Sequence, residues 1–340
     1  MKRLALLLAL ATLPGGCMSA HPPAPAYALI GTVHREGAAL DALVAPDAVI
    51  EKLGEGYRWS EGPVWIENGD YLLFSDVPAN RMYRWSERDG VTLFLEPSGY
   101  SGPNPEAFRE GGSNGLIRGP GNTILVADHG NRAVVRIDLA TKERTFLARQ
   151  YQGKTFNSPN DLVLAKSGAI YFTDPPYGLE GLNESPLKEL PHNGVYRLDP
   201  DGTVTLLHAG FTFPNGIILS PDERTLYVAN SDPERAVIVA FDLGADGSLS
   251  NERLFADMTP LVGKDMPGLP DGMAVDQAGN LFATGPGGVH VFAPDGTRLG
   301  RIDSGTAIAN AAFGEDGRTL FLASNDRLAR IRTRTKGVGF

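Results

Sequence analysis

The stretch FPNGIILSPDERTLYVAN, Phe213 to Asn230, decides the fold. Two apolar runs, Ile217-Ile218-Leu219 and Leu226-Tyr227-Val228, flank the polar turn Ser220-Pro221-Asp222 and read as the two strands of a hairpin. In an antiparallel pair the start of one strand lies beside the end of the other, so Asn215 and Asn230 are expected to meet at one edge of the sheet. Working outward, the second strand recurs as Leu72 to Asp76, Ile124 to Asp128, Ile170 to Asp174, Leu281 to Gly285 and Leu320 to Ser324, which makes six copies with Leu226 to Asn230. Third strands follow, such as Arg81 to Trp85, Val134 to Ile137, Gly194 to Leu198 and Val237 to Phe241. Repeats of about 40 to 55 residues, each a small antiparallel sheet, mark a β-propeller. The expected fold is therefore all-β, a six-bladed β-propeller.

The first strand of each blade begins ten or eleven residues before the second, and there the chain carries Glu61, Asn114, Asn160, Asn215, Asp271 and Asn310. First strands are innermost in a propeller, so these six oxygen-bearing side chains are expected to ring one end of the central channel. The second-strand ends Asp76, Asp128, Asp174 and Asn230 belong to the same end, with Asp128 and Asp174 as neighbours behind the ring. Taken singly, Asn-Gly and Asp-Gly are ordinary turn formers. As a set they are more than that, because turn chemistry does not demand Glu at the first position and Asp at the fifth. Carboxylates brought together either raise a pKa or hold a cation. Oxygen donors without cysteine or paired histidine predict a central-channel metal site for a divalent cation, Ca²⁺ first, with Mg²⁺, Mn²⁺ and Zn²⁺ as alternatives.

Composition narrows the classes. A net charge of -9 over 340 residues gives no long-range attraction to phosphate backbones, so no nucleic-acid partner is expected. The N-terminus carries Lys2-Arg3, an apolar run from Leu4 to Leu13, then Pro14-Gly15-Gly16-Cys17. This is the layout of a secretory signal, and the run is too short to span a bilayer. Small residues before Cys17 resemble a bacterial lipoprotein processing site, with cleavage near Ala24-Pro25-Ala26 as the rival. Residues 1–17 are read as the signal, 18–46 as a tether and N-terminal extension, and 47–340 as the propeller. The protein is then exported, periplasmic or lipid-anchored to the cell envelope. With one cysteine, disulfides do not hold the fold.

Other motifs carry less. Gly111-Gly112-Ser113-Asn114-Gly115 matches the G-x-S-x-G pattern, but a nucleophile elbow needs a helix after it, and Leu116-Ile117 and another turn follow. His129 is placed to reach a substrate at the ring or to sit in a surface loop. The insertion from Gly178 to Asn193, with His192, is either a lid or an ordinary loop, and His290 reads as strand packing.

The stretches WSEGPVW, LLFSDVPANRMYRW, GGSNGL, SPNDLV, YFTDPPYGL, LPDGMAVD and NLFATGPGGV, together with the opening one, span Asp47 to Ile331. In them the chain resembles the family of gluconolactonases, senescence marker protein and luciferin-regenerating enzyme, most of all its bacterial gluconolactonase branch. The resemblance implies a hydrolase that opens a sugar lactone, such as glucono-1,5-lactone, to the aldonic acid. It also implies metal ligands at Glu61, Asn160, Asn215 and Asp271, with Asp271 as general base. Asn114, His129 and Asn160 are expected to bind substrate. Ser158 stands where the animal branch has a sugar-contacting arginine. Ala274 stands where the fluorophosphatase relative has an acid for a second calcium, so one ion is expected. An arylesterase or phosphotriesterase on the same site, and a non-catalytic binding propeller, are the alternatives.

Overall fold

The computed structural model describes residues 27–263 and 265–340; the expected signal, Cys17 and the tether to residue 26 lie outside them. Six antiparallel sheets of four or five strands follow one another along the chain, with a two-stranded hairpin, Gln150–Tyr151 and Lys154–Thr155, between the second and the third. Blade 1 runs over 60–95, blade 2 over 113–148, blade 3 over 162–211, blade 4 over 214–257, blade 5 over 273–303 and blade 6 over 310–332. The expected six-bladed propeller is what forms. No helix among the described residues is long and apolar enough to cross a membrane.

Burial falls from the axis outward. The second strands, such as Leu72 to Asp76 and Leu226 to Asn230, are buried throughout, because neighbouring blades cover both faces. The outermost strands are wet, and Leu93, Phe146 and Leu254 on them stand 53%, 41% and 62% exposed. Apolar clusters fill the gaps between adjacent blades: Ile217, Leu226 and Val239 of blade 4 pack with Tyr171 and Val195 of blade 3. Between blades 6 and 1, Trp65 stacks on Phe321 at 5.6 Å, and Trp85 tilts against the same ring.

Strands near the N-terminus complete two of the blades. Ile50–Glu55 pairs with Arg327–Arg332 as the fourth strand of blade 6, and Ala28–Ile30 adds a fifth. Thr32–Arg35 adds a fifth strand to blade 5 through Arg298–Asp303. From residue 28 the extension is thus part of the sheets. These strands are short and partly polar, which hides them from a pattern search.

In the founding hairpin, Pro214 faces Asn230 and Ile217 faces Val228, so the first strand spends one residue more than its partner. This is a β-bulge. Equivalent bulges lie between Glu61 and Val64 in blade 1 and between Ser113 and Leu116 in blade 2. In blades 2 and 4 the bulge takes the ring residue, Asn114 or Asn215, out of the ladder; in blade 1 Glu61 still pairs with Ser75 and the bulge follows it. The glycines after the ring residues serve close approach rather than a turn. A Cβ on Gly216 would lie 2.1 Å from the Asp271 carbonyl oxygen, and one on Gly272 would lie 2.0 Å from Asn310 Cγ. Gly216→Ala is expected to cost about 1–3 kcal/mol or more, as overpacking does. Chemical denaturation of the variant checks this, and an unchanged midpoint would refute it.

Candidate active site at the channel mouth

Glu61, Asn114, Asn160, Asn215 and Asp271 line one cavity of about 640 Å³ at the end of the channel. Five of the six expected ring positions therefore come together. The sixth, Asn310, lines the apolar compartment on the other side of the ring and donates through Nδ2 to Glu61 Oε2 at 3.1 Å. Glu61 Oε2 also accepts the Gly62 N–H at 2.8 Å.

The donor atoms are incompletely satisfied. Asn215 Nδ2 donates to Ser231 Oγ at 3.0 Å, while Asn215 Oδ1, Asn114 Oδ1 and Asp271 Oδ1 are buried with no hydrogen-bond partner. Unpaired buried oxygens are costly and call for an explanation. Burial, with Asp161 and Glu110 nearby, pushes the Glu61 carboxyl up to about 8. Burial, Glu61, Asp161 and Glu110 hold Asp271 well above the ordinary carboxylate range. Two carboxylates and several amide oxygens facing one space fit a hard divalent cation, which would satisfy the free oxygens and offset the repulsion. Among the described residues no three His, Cys, Asp or Glu side chains gather as a cluster. The set is therefore amide-rich, and Glu61, Asn160, Asn215 and Asp271 are its candidate holders.

His129 does not line the cavity. Its side chain is fully buried behind the ring, with Nε2 3.1 Å from Asn114 Nδ2 and 3.4 Å from Asn160 Nδ2. Its Nδ1 lies 3.3 Å from Glu110 Oε2 without hydrogen-bond alignment. His129 thus faces two ring amides. The strand-end side chains hold backbone. Asp76 accepts the backbone N–H groups of Arg58 and Trp59, and Asp174 those of Asn157 and Ser158 at 2.8 Å each. Asn230 Oδ1 accepts the Phe213 N–H at 3.0 Å. These side chains clamp the loops that lead into Glu61, Asn160 and Asn215. Asp128 instead holds Asn131 in the turn after its own strand, so it does not back the ring. Asn215 and Asn230 do not meet.

Several site residues escaped the sequence reading. Arg58, Trp59, Arg109, Glu110, Tyr177, Ser231, Met266 and Leu269 all line the cavity. Arg109 and Glu110 come from the segment between blades 1 and 2, whose backbone meets the insertion of blade 3 at Phe108 and Leu179. The start of that insertion therefore walls the mouth, with Tyr177 stacked on Phe213. His192 is turned to the Tyr196 hydroxyl at 2.9 Å. Asp161, next to Asn160, is buried and accepts the N–H groups of Leu162 and Ile217; burial pushes it up to about 7. Ser113 is buried against Ser75 Oγ at 2.8 Å and is no nucleophile. Ser158 Oγ donates to the Pro175 carbonyl, away from the cavity.

Fold and site together define a six-bladed propeller of hydrolase type, with its polar centre on the axis. The chain belongs to the SMP-30/gluconolactonase/LRE-like family, whose characteristic region matches residues 59–326. It is 47% identical over 312 residues to a gluconolactonase of Zymomonas mobilis, covering 91% of this chain and 88% of that one. A solved gluconolactonase of Xanthomonas campestris superposes with a TM-score of 0.78 at 34% identity, over 92% of this chain and 99% of the other. Regucalcin of Agrobacterium tumefaciens, described as a calcium-binding protein, matches with a TM-score of 0.66 over 84% of this chain and 94% of that one. At 20% identity that likeness speaks to the fold.

The raised acids give a pH signature. Glu61 stands at about 8 against an ordinary 4.5, and Asp161 at about 7 against 3.8. A carboxyl whose folded-state pKa is raised contributes stability that is complete below its unfolded value and is lost as pH rises through the folded one. In chelator the melting temperature is expected to fall between about pH 5 and pH 8, and a divalent cation to restore it on the alkaline side. A melting temperature that stays flat with pH and cation would contradict this.

Proposed function

We propose that this protein hydrolyses sugar lactones to aldonic acids at the channel mouth, using one divalent cation, with Ca²⁺ as the ion. The observation that carries the reading is the convergence of Glu61 and Asp271 with unpaired Asn oxygens on the floor of a cavity open to small molecules. The gluconolactonase relatives support the lactone class, and the all-oxygen donor set supports calcium. Glu61, Asn160, Asn215 and Asp271 would hold the ion, which when bound supplies Lewis acidity to the ester carbonyl.

The chain's own residues do the rest. Asp271 is part-buried on the cavity wall, and its unpaired Oδ1 is free to take and return a proton there. It removes a proton from the attacking water as the new C–O bond forms at the lactone carbonyl. When the ring C–O bond breaks, the same proton passes to the departing ring oxygen, leaving an aldonic acid that ionises in solution. Asn114 Oδ1, left free because Nδ2 faces His129, accepts from a sugar hydroxyl. Trp59, Tyr177, Met266 and Leu269 provide the apolar wall, and Arg58 and Arg109 stand at the exposed rim.

The direct test is proton release from glucono-1,5-lactone with and without chelator. Hydrolysis abolished by chelator and restored by Ca²⁺ supports the reading. Chelator-insensitive hydrolysis, or none on a panel of lactones and aryl esters, would replace it with a binding propeller. Asp271→Asn is expected to lower turnover about 10²- to 10⁴-fold with an unchanged circular dichroism spectrum, and near wild-type rates in that variant would remove Asp271 as the base. For location, we propose export and lipidation at Cys17. Cys17→Ser should then move the protein from the membrane fraction to the soluble envelope fraction, and an unchanged distribution would argue for the alternative cleavage.

A further inference from the structure

At the level of the ring, each blade is hydrogen-bonded to the next, and the bonds close into a complete circuit. Ser75 Oγ of blade 1 donates to the Asn114 carbonyl of blade 2 at 2.9 Å. The Gly115 N–H of blade 2 donates to the Asn160 carbonyl at the entry to blade 3 at 2.8 Å. Thr173 Oγ1 of blade 3 donates to the Asn215 carbonyl of blade 4 at 2.6 Å. Ser231 Oγ of blade 4 donates to the Pro270 carbonyl, one residue before Asp271. Thr284 Oγ1 of blade 5 reaches the Ala309 carbonyl at 3.3 Å, and Asn310 of blade 6 returns to Glu61 of blade 1.

Asn215 is held twice within this circuit. Thr173, from the blade before, holds its backbone carbonyl; Ser231 accepts from its side-chain Nδ2. With the nitrogen occupied, the amide plane is fixed and Oδ1 is the atom left over, buried and unpaired. Thr173 is fully buried and also accepts the Asp161 N–H at 3.2 Å, so one hydroxyl ties the segment after Asn160 to Asn215. The same hydroxyl of Ser231 that orients Asn215 also fixes the backbone leading to Asp271. Without these two groups the amide is free to rotate, and the spacing of three ring positions loosens.

We infer that Thr173 and Ser231 are positioning residues that aim the Asn215 side-chain oxygen at the axis, as members of a closed inter-blade hydrogen-bond circuit. The inference rests on the reading of Asn215 as a cation ligand. Partners behind a metal ligand are typically worth about 10- to 100-fold in metal affinity, and that is the loss expected here.

The test is calorimetric titration of the full protein with Ca²⁺ alone, without substrate. Thr173→Val and Ser231→Ala are expected to weaken binding about 10- to 100-fold, and Thr173→Ser, which keeps the hydroxyl, to bind as the parent does. Ser324→Ala is the control: its hydroxyl is also buried, paired with Ser304 Oγ and the Ala307 carbonyl, but touches no proposed ligand. It should lower the melting temperature in chelator and leave Ca²⁺ affinity unchanged. If the parent protein binds Ca²⁺ and the Thr173 and Ser231 variants bind it equally well, the positioning role is overturned while the cation reading stands. If Ser324→Ala loses affinity to the same degree, affinity merely follows stability and the role is likewise overturned. A parent protein that binds no divalent ion removes both.

Discussion

Six strands that start at one axis force their first side chains into a space that bulk water reaches only from the mouth. Polar groups put there must find partners, because an unpaired buried acceptor or a repelling carboxylate pair works against folding. Much of the local architecture follows from that constraint. The bulges of blades 2 and 4 turn ring residues out of the ladder, and glycines without a Cβ let neighbouring strands close in behind them. His129 and Ser231 take the amide nitrogens, which leaves the oxygens facing inward. A site built this way has its acceptors aligned before any ligand arrives, so little reorganisation remains for binding or reaction.

The same constraint explains a division of labour among the acids. Glu61 and Asp271 face the cavity, whereas Asp76 and Asp174 spend their oxygens on backbone N–H groups of the entering loops. Both kinds sit at the same end of the blades. A carboxylate whose two oxygens both take backbone N–H groups is a clamp, while one that gathers its donors on a single oxygen, as Glu61 does on Oε2, leaves the other available to chemistry. The distinction between scaffold and site is therefore one of hydrogen-bond accounting, residue by residue.

The sequence made the propeller and five cavity-lining ring positions legible because both repeat: a strand motif that ends in Asp or Asn in four of its six copies, and an oxygen-bearing residue ten or eleven places before it. What does not repeat stayed hidden. Glu110 and Arg109 lie in a segment between blades, Tyr177 opens an insertion unique to blade 3, and Ser231 sits one place past a strand end that had already drawn notice. Orientation was equally out of reach. His129 and Asp128 are adjacent in the chain and near the ring, yet one points to the ring amides and the other to its own turn. Spacing gives the blade and the height along the axis, but not the direction in which a side chain is held.

Blade 6 is assembled from the two ends of the described chain, Ile50–Glu55 lying beside Arg327–Arg332. One of the earliest strands to leave the ribosome thus waits for one of the last. Contacts separated by most of the chain are slow to form, since loop closure must precede any gain from pairing. Until that pairing is made, blade 1 lacks its neighbour across the seam, and the bond from Asn310 to Glu61 has no donor. Closure of blade 6 and closure of the ring are consequently one event: an unclosed propeller carries the ring residues of its formed blades but has no enclosed mouth in which to use them.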